Sequence, residues 1–131
     1  MRGRFLCSEA RAACGFPVND VVLRVEDWAR LGVPAFVKVV ICENRTNFLA
    51  LPPIPGVLAL WGEGGAAAGL LPRFPWLRDA QVIYWGDLDP SGLGILAGLR
   101  RSLPKVQSIL MDDATLNFHS AKLLPAKRPV G

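Results

Sequence analysis

The chain has 131 residues, 51% of them hydrophobic and 20% charged, with a formal net charge of +4. That length and composition describe one globular domain with a sizeable core and exclude a disordered chain. The mild positive excess fits a polyanionic partner but falls far short of a histone-like balance.

Residues 1–20 lack clear periodicity and read as a leader or the remnant of a preceding segment. VVLRV, residues 21–25, reads as a short strand, and Glu26 to Leu31 as one or two helical turns ended by Gly32 and Pro34. FVKVVIC, Phe36 to Cys42, is nearly continuous in β-branched and apolar residues, the pattern of a strand buried on both faces. It ends at Glu43, and Asn44 to Leu51 predicts a short helix broken by Pro52, Pro53 and Pro55. GVLALWG gives a second buried strand that runs into the glycine turn Gly62–Gly65, after which AAAGLL predicts a helix and PWLRD a further turn. AQVIYWG, Ala80 to Gly86, is the third such strand. Ser91 to Leu103 predicts a helix with apolar positions at Leu93, Leu96, Ala97 and Leu99, closed by Pro104. VQSILM, Val106 to Met111, is the fourth, followed by Asp112, Asp113 and a short helix towards His119. Residues 120–131 read as a frayed or truncated tail, which leaves a domain over 21–119.

Four apolar strands alternating with helices predict an α/β fold: a four-stranded, mostly parallel sheet flanked by helices, with right-handed crossovers. Cys7, Cys14 and Cys42 form no C-x-x-C pair and His119 is the only histidine, which argues against a zinc site and a disulfide framework. Scattered thiols suit a reducing cytoplasm. No segment reaches the ~20 apolar residues that span a bilayer, so no membrane partner is expected.

In open parallel sheets, function gathers at the carboxyl ends of the strands. The acidic residues fall there: Glu43 after one strand, Asp87 and Asp89 after another, Asp112 and Asp113 after a third. On an extended segment residues two apart share a face, so the Asp87 and Asp89 carboxylates converge. Unpaired they repel, and a Mg²⁺ ion removes that conflict because it binds through a few carboxylates. Pro90-Ser91-Gly92 then turns the chain into a helix, with Ser91 as a natural N-cap.

Each acid also has a plainer reading. Asp87 and Asp89 fit a turn, Glu43 a helix start stabilised by the dipole, and Asp113 a helix cap. Glu43 otherwise serves as a metal ligand or general acid/base, and Asp112 or Asp113 completes the metal shell. An EF-hand loop starting at Asp87 fails, because its twelfth position is Gly98 rather than a glutamate and a strand precedes it. A phosphatase of the haloacid-dehalogenase type, with Asp87 as nucleophile, stays open, and a glycosyltransferase D-x-D leaves Glu43 unexplained. Arg45 fits either a phosphate contact or a solvated arginine. Arg100, Arg101 and Lys105 form a basic patch that fits either DNA contact or a solvated face. The glycines of the Gly62–Gly65 turn fit phosphate approach or an ordinary turn. Tyr84 and the four tryptophans read as core, and His119 as uninvolved.

Glutamate at one strand end and D-x-D at another, in a small α/β domain, resembles the Toprim fold of topoisomerases, primases and related nucleases. DLDPSG looks most like the Toprim domain of the type IIB topoisomerase A subunit. ENRTNFLALPPIP, PWLRDAQVIYWGDLDPSGLGILAGLRRSLPKVQSILMD and the following DATL resemble the C-terminal domain of the JetD family, nuclease subunits of the bacterial Wadjet anti-plasmid system. The resemblance implies a Mg²⁺-dependent DNA endonuclease, with Mn²⁺ able to substitute. It cuts plasmid double-stranded DNA presented by an SMC-type motor complex, and its full-length form is a homodimer. By position, Glu43 is the acid/base or a metal ligand, Asp87 and Asp89 hold the metal, and Asp112 in ILMD is the auxiliary ligand. Arg45, Arg100, Arg101 and Lys105 remain the candidate DNA contacts. Full-length members carry a large N-terminal part with winged-helix character, on which type IIB relatives place a tyrosine for transesterification. Without that tyrosine the reading is hydrolysis by metal-activated water. The alternative within the fold is a non-catalytic DNA-binding or assembly module.

Overall fold

The apolar run ending at Cys42 forms β3 (Lys38–Cys42), in which only Lys38 is suited to solvent: Val39, Val40, Ile41 and Cys42 are all buried. The computed structural model describes residues 1–63, 69, 73–86 and 90–110, with residues 109 and 110 by backbone only. In chain order the other elements are β1 (Arg2–Phe5), α1 (Ser8–Ala13), β2 (Asp20–Val22), α2 (Val25–Arg30), α3 (Arg45–Ala50), β4 (Val57–Trp61), β5 (Gln81–Gly86), α4 (Pro90–Ser102) and β6 (Gln107–Leu110). They make a six-stranded sheet in the order β2-β1-β4-β3-β5-β6. The four strands expected from the apolar runs are present as β3, β4, β5 and β6, and each pairs with its neighbour in parallel.

Side chains alternate across the sheet as the period of a strand requires. Val39 and Ile41, Leu58 and Leu60, Val82 and Tyr84 join one core cluster, with Ala10 of α1, Trp28 of α2 and Leu96 and Leu99 of α4. Val40, Cys42, Val57, Ala59, Ile83 and Trp85 join the other, with Phe48 of α3 and the following Leu51 and Ile54. Burial of Cys42 pushes its thiol pKa up, which suits a packing residue rather than a nucleophile.

The first twenty residues depart from expectation. They contribute a strand to the sheet: β1 lies between β2 and β4 and is antiparallel to both. The segment looked aperiodic because only Phe5 is a large apolar residue in the strand, while its two arginines run out along the surface. Arg2 Nε and Nη2 donate to Asp20 at 2.9 and 2.5 Å, which zips β1 to β2. Arg4 reaches further, donating to the carbonyls of Phe48 at 2.6 Å and Leu51 at 3.4 Å, the free carbonyls at the end of α3. The cation and the partial negative charge of the helix C-terminus are opposite in sign and attract there. The predicted strand VVLRV shortens accordingly to β2, whose residues are mostly exposed.

Two further corrections follow from helix geometry. α4 starts at Pro90, so Ser91 lies inside the first turn and is not the N-cap. Proline's fixed φ suits the first helical position. Its buried face is Gly92, Leu96 and Leu99, continued by Leu103, a spacing of three and four residues, so Leu93 points outward at 48% exposure and Ala97 is also exposed. Phe36, expected at the start of a buried strand, precedes β3 and is 54% exposed. PWLRD becomes a 3₁₀ turn at Pro75–Arg78 that buries Trp76 and Leu77. The expected helix after Asp113, all of AAAGLL but Gly69, the Gly64–Gly65 half of the glycine turn and the tail fall outside the described residues.

Gly3 shows how tightly β1 is fitted. A Cβ there would fall 2.6 Å from Cη2 and 2.8 Å from Cζ2 of Trp28. The indole is fully buried and donates to the Met1 carbonyl at 2.7 Å, while the backbone carbonyl of Trp28 accepts from Trp76 Nε1 at 2.8 Å. The ring therefore cannot step aside. Gly3→Val is expected to destabilise the fold by about 1–3 kcal/mol through overpacking, measured as a lower urea midpoint at unchanged slope.

Candidate metal centre

Glu43 is the first residue beyond β3, and the backbone around it is held on three sides. Its N–H donates to the Trp85 carbonyl at 3.2 Å, which carries the β3–β5 ladder one step past Cys42. Its carbonyl accepts from Trp61 Nε1 at 3.1 Å, and the Cys42 carbonyl accepts from the Gly62 N–H at 2.7 Å. Asn44 then takes an extended conformation, and its Oδ1 accepts from the N–H groups of Thr46 at 2.7 Å and Asn47 at 3.2 Å. Asn44 is therefore the N-cap of α3. Strand, glutamate, cap and helix follow one another without a spare residue, so the Glu43 side chain has a fixed origin.

That side chain is half-buried, and its Oε2 accepts a hydrogen bond from the Tyr84 hydroxyl. Tyr84 is packed as expected, yet its hydroxyl serves the rim. No lysine or arginine pairs with Glu43 among the described residues.

The parallel registers decide what lies nearby. Cys42 is opposite Trp85 and Gly86 is opposite Leu110, so the ends of β3, β5 and β6 line up along one edge. Glu43 and Gly86 lie on adjacent strands about 5 Å apart. Asp87 and Asp89 follow Gly86 directly in the chain, and Asp112 and Asp113 follow Leu110 at one remove. All four aspartates lie outside the described residues. Among the described residues no group of three or more His, Cys, Asp or Glu side chains is placed to hold a metal, and Glu43 is the one expected ligand among them. Sequence reasoning passed over Glu63, which follows Gly62 at the end of β4. It is exposed and holds φ at 51°, a left-handed value uncommon outside glycine. An acid inside a run of glycines was its only signal.

A family model described as "Wadjet protein JetD, C-terminal" matches residues 1–129. The chain belongs to that family. The match includes the first twenty residues, in agreement with their place in the sheet. Among solved structures, a small TOPRIM domain protein from Bacillus stearothermophilus is similar at 22% identity and a TM-score of 0.50, over 69% of this chain and 87% of that one. This likeness shows the fold, which is Toprim-like. No curated protein matches. Among the described residues no helix is long and apolar enough to cross a membrane.

In this member of the JetD family the candidate DNA contacts do not form one patch. Arg45 is the first residue of α3, exposed and two positions from Glu43. Arg100 and Arg101 lie in the last turn of α4, and Lys105 in the turn before β6. Because α4 links two parallel strands it runs back across the sheet, carrying them about 20 Å towards the opposite edge. Arg100 also has a structural task, its Nε donating to the Val106 carbonyl at 3.1 Å. Replacing Asn44 by Ala is expected to cost about 1 kcal/mol through the lost cap, and Asn44→Asp to retain most of it. Urea unfolding of the two variants measures the difference.

Proposed function

We propose that the chain is the Mg²⁺-dependent endonuclease domain of a plasmid-defence system, hydrolysing phosphodiester bonds in double-stranded plasmid DNA. Within this reading an SMC-type motor complex presents the DNA, and the full-length protein acts as a homodimer in the cytoplasm. The observation that carries it is Glu43: a half-buried carboxylate at a strand end with no lysine or arginine partner among the described residues, one strand away from the residue that leads into D-x-D.

The donor set fits the metal by its chemistry. Glu43, Asp87, Asp89 and Asp112 offer only hard oxygens, which suit Mg²⁺ or Mn²⁺ and not a thiolate-seeking ion. When bound, such an ion neutralises charge on the scissile phosphate. Asp87 and Asp89 hold it, with Asp112 as the auxiliary ligand. Glu43 either lends a carboxylate oxygen or takes the proton of the attacking water. Arg45 binds phosphate: a cation in the first turn of a helix opposes the dipole, so its position serves something other than helix stability. Arg100, Arg101 and Lys105 then meet the DNA backbone away from the point of cleavage.

The test is nicking of closed circular plasmid with Mn²⁺, by the chain alone and joined to the N-terminal part of a full-length family member. Glu43→Gln and Asp89→Ala are each expected to slow nicking roughly 100-fold or more. Cleavage that survives Asp89→Ala overturns the assignment. Turnover of a small phosphate monoester that is lost in Asp87→Asn but kept in Glu43→Gln would instead point to the dehalogenase-type phosphatase. DNA binding without metal uptake or cleavage would point to a non-catalytic module.

A further inference from the structure

We propose that Tyr84 is a positioning residue for Glu43, and that Gly86 is glycine so that the tyrosine can reach it. The consequence for metal binding rests on the function proposed above, whereas the contact itself does not.

The register brings the three residues together. Ile41 is opposite Tyr84, so Glu43 and Gly86 form the next step of the same parallel pair. Residues two apart on a strand share a face, which puts Tyr84 and Gly86 on one side of β5 with Glu43 beside them just past the end of β3. The Tyr84 ring is 1% exposed and packed in the same cluster as Ile41, Val39 and Leu96. A buried phenol needs a partner for its hydroxyl, and this one lies along its strand towards the rim and donates to Oε2 of Glu43. That path crosses Gly86. A Cβ on Gly86 would sit 2.5 Å from the Tyr84 hydroxyl oxygen and 2.6 Å from Cζ, and the packed ring has nowhere to retreat. Gly86 has no left-handed φ to account for its identity; clearance for the ring does.

The hydrogen bond leaves Glu43 with one oxygen held by Tyr84 and Oε1 without a hydrogen bond among the described residues. A carboxylate fixed in this way has less rotamer freedom to lose when it meets a cation. Partners of this kind around metal ligands typically alter metal affinity or activity by 10- to 100-fold when removed.

Tyr84 is the single tyrosine of the chain, so labelling tyrosine with ¹³C at Cζ gives one NMR signal that reports on this hydroxyl. Three variants carry the test: Glu43→Gln, Gly86→Ala and Tyr84→Phe. The signal is expected to move clearly in Glu43→Gln and in Gly86→Ala. Tyr84→Phe, which keeps the ring, is expected to retain a dispersed, folded amide spectrum while binding Mn²⁺ roughly 10- to 100-fold more weakly than the wild type. A tyrosine signal unchanged by Glu43→Gln overturns the proposal, and so does a Tyr84→Phe chain that binds Mn²⁺ as tightly as the wild type. If the wild-type chain takes up no Mn²⁺, the metal reading fails, and the Glu43→Gln signal alone decides for or against the hold of Tyr84 on Glu43.

Discussion

Parallel pairing of β3 with β5, in the register that sets Cys42 beside Trp85, is the constraint from which the rest of the site follows. A slip of one residue would turn every side chain of β3 to the opposite face. Val39 and Ile41 would then trade places with Val40 and Cys42, and Glu43 would leave the side on which Tyr84 waits. Two tightly filled clusters, one on each face, penalise such a slip. The core therefore positions the carboxylate indirectly: packing selects the register, and the register selects the neighbours of Glu43.

The outer strands reinforce the same edge. Arg4 of β1 gathers the last carbonyls of α3 while Asn44 binds its first amide groups, so this short helix is tied at both ends. Both Arg2 and Arg4 also approach the Phe48 ring, their guanidinium carbons 5.8 Å from its centroid. A six-residue helix is too short to be stable by itself, and these contacts stand in for length.

Much of this was legible from the chain. Three of the four apolar runs gave β3, β4 and β5 because a strand buried on both faces needs nothing but apolar residues, and few other elements tolerate them. The motifs ENRT and YWGDLD pointed to the family before any coordinates. The reading failed where contacts are distant in sequence. β1 carries two arginines whose partners lie 18, 44 and 47 residues away, so nothing local marked it as a strand. Ser91 looked like a cap because capping residues are recognised by type, whereas the helix begins at the proline before it.

The sequence by itself determined the α/β class, the four parallel strands and the placing of acids after strand ends, because period and composition are local properties. Only the tertiary structure decided that Glu43 meets Tyr84 across 41 residues, that Gly86 leaves room for the meeting, and that Arg45 stands apart from Arg100, Arg101 and Lys105. Register and crossover direction fix those relations. Both are settled by packing between segments, which no single stretch of the chain contains.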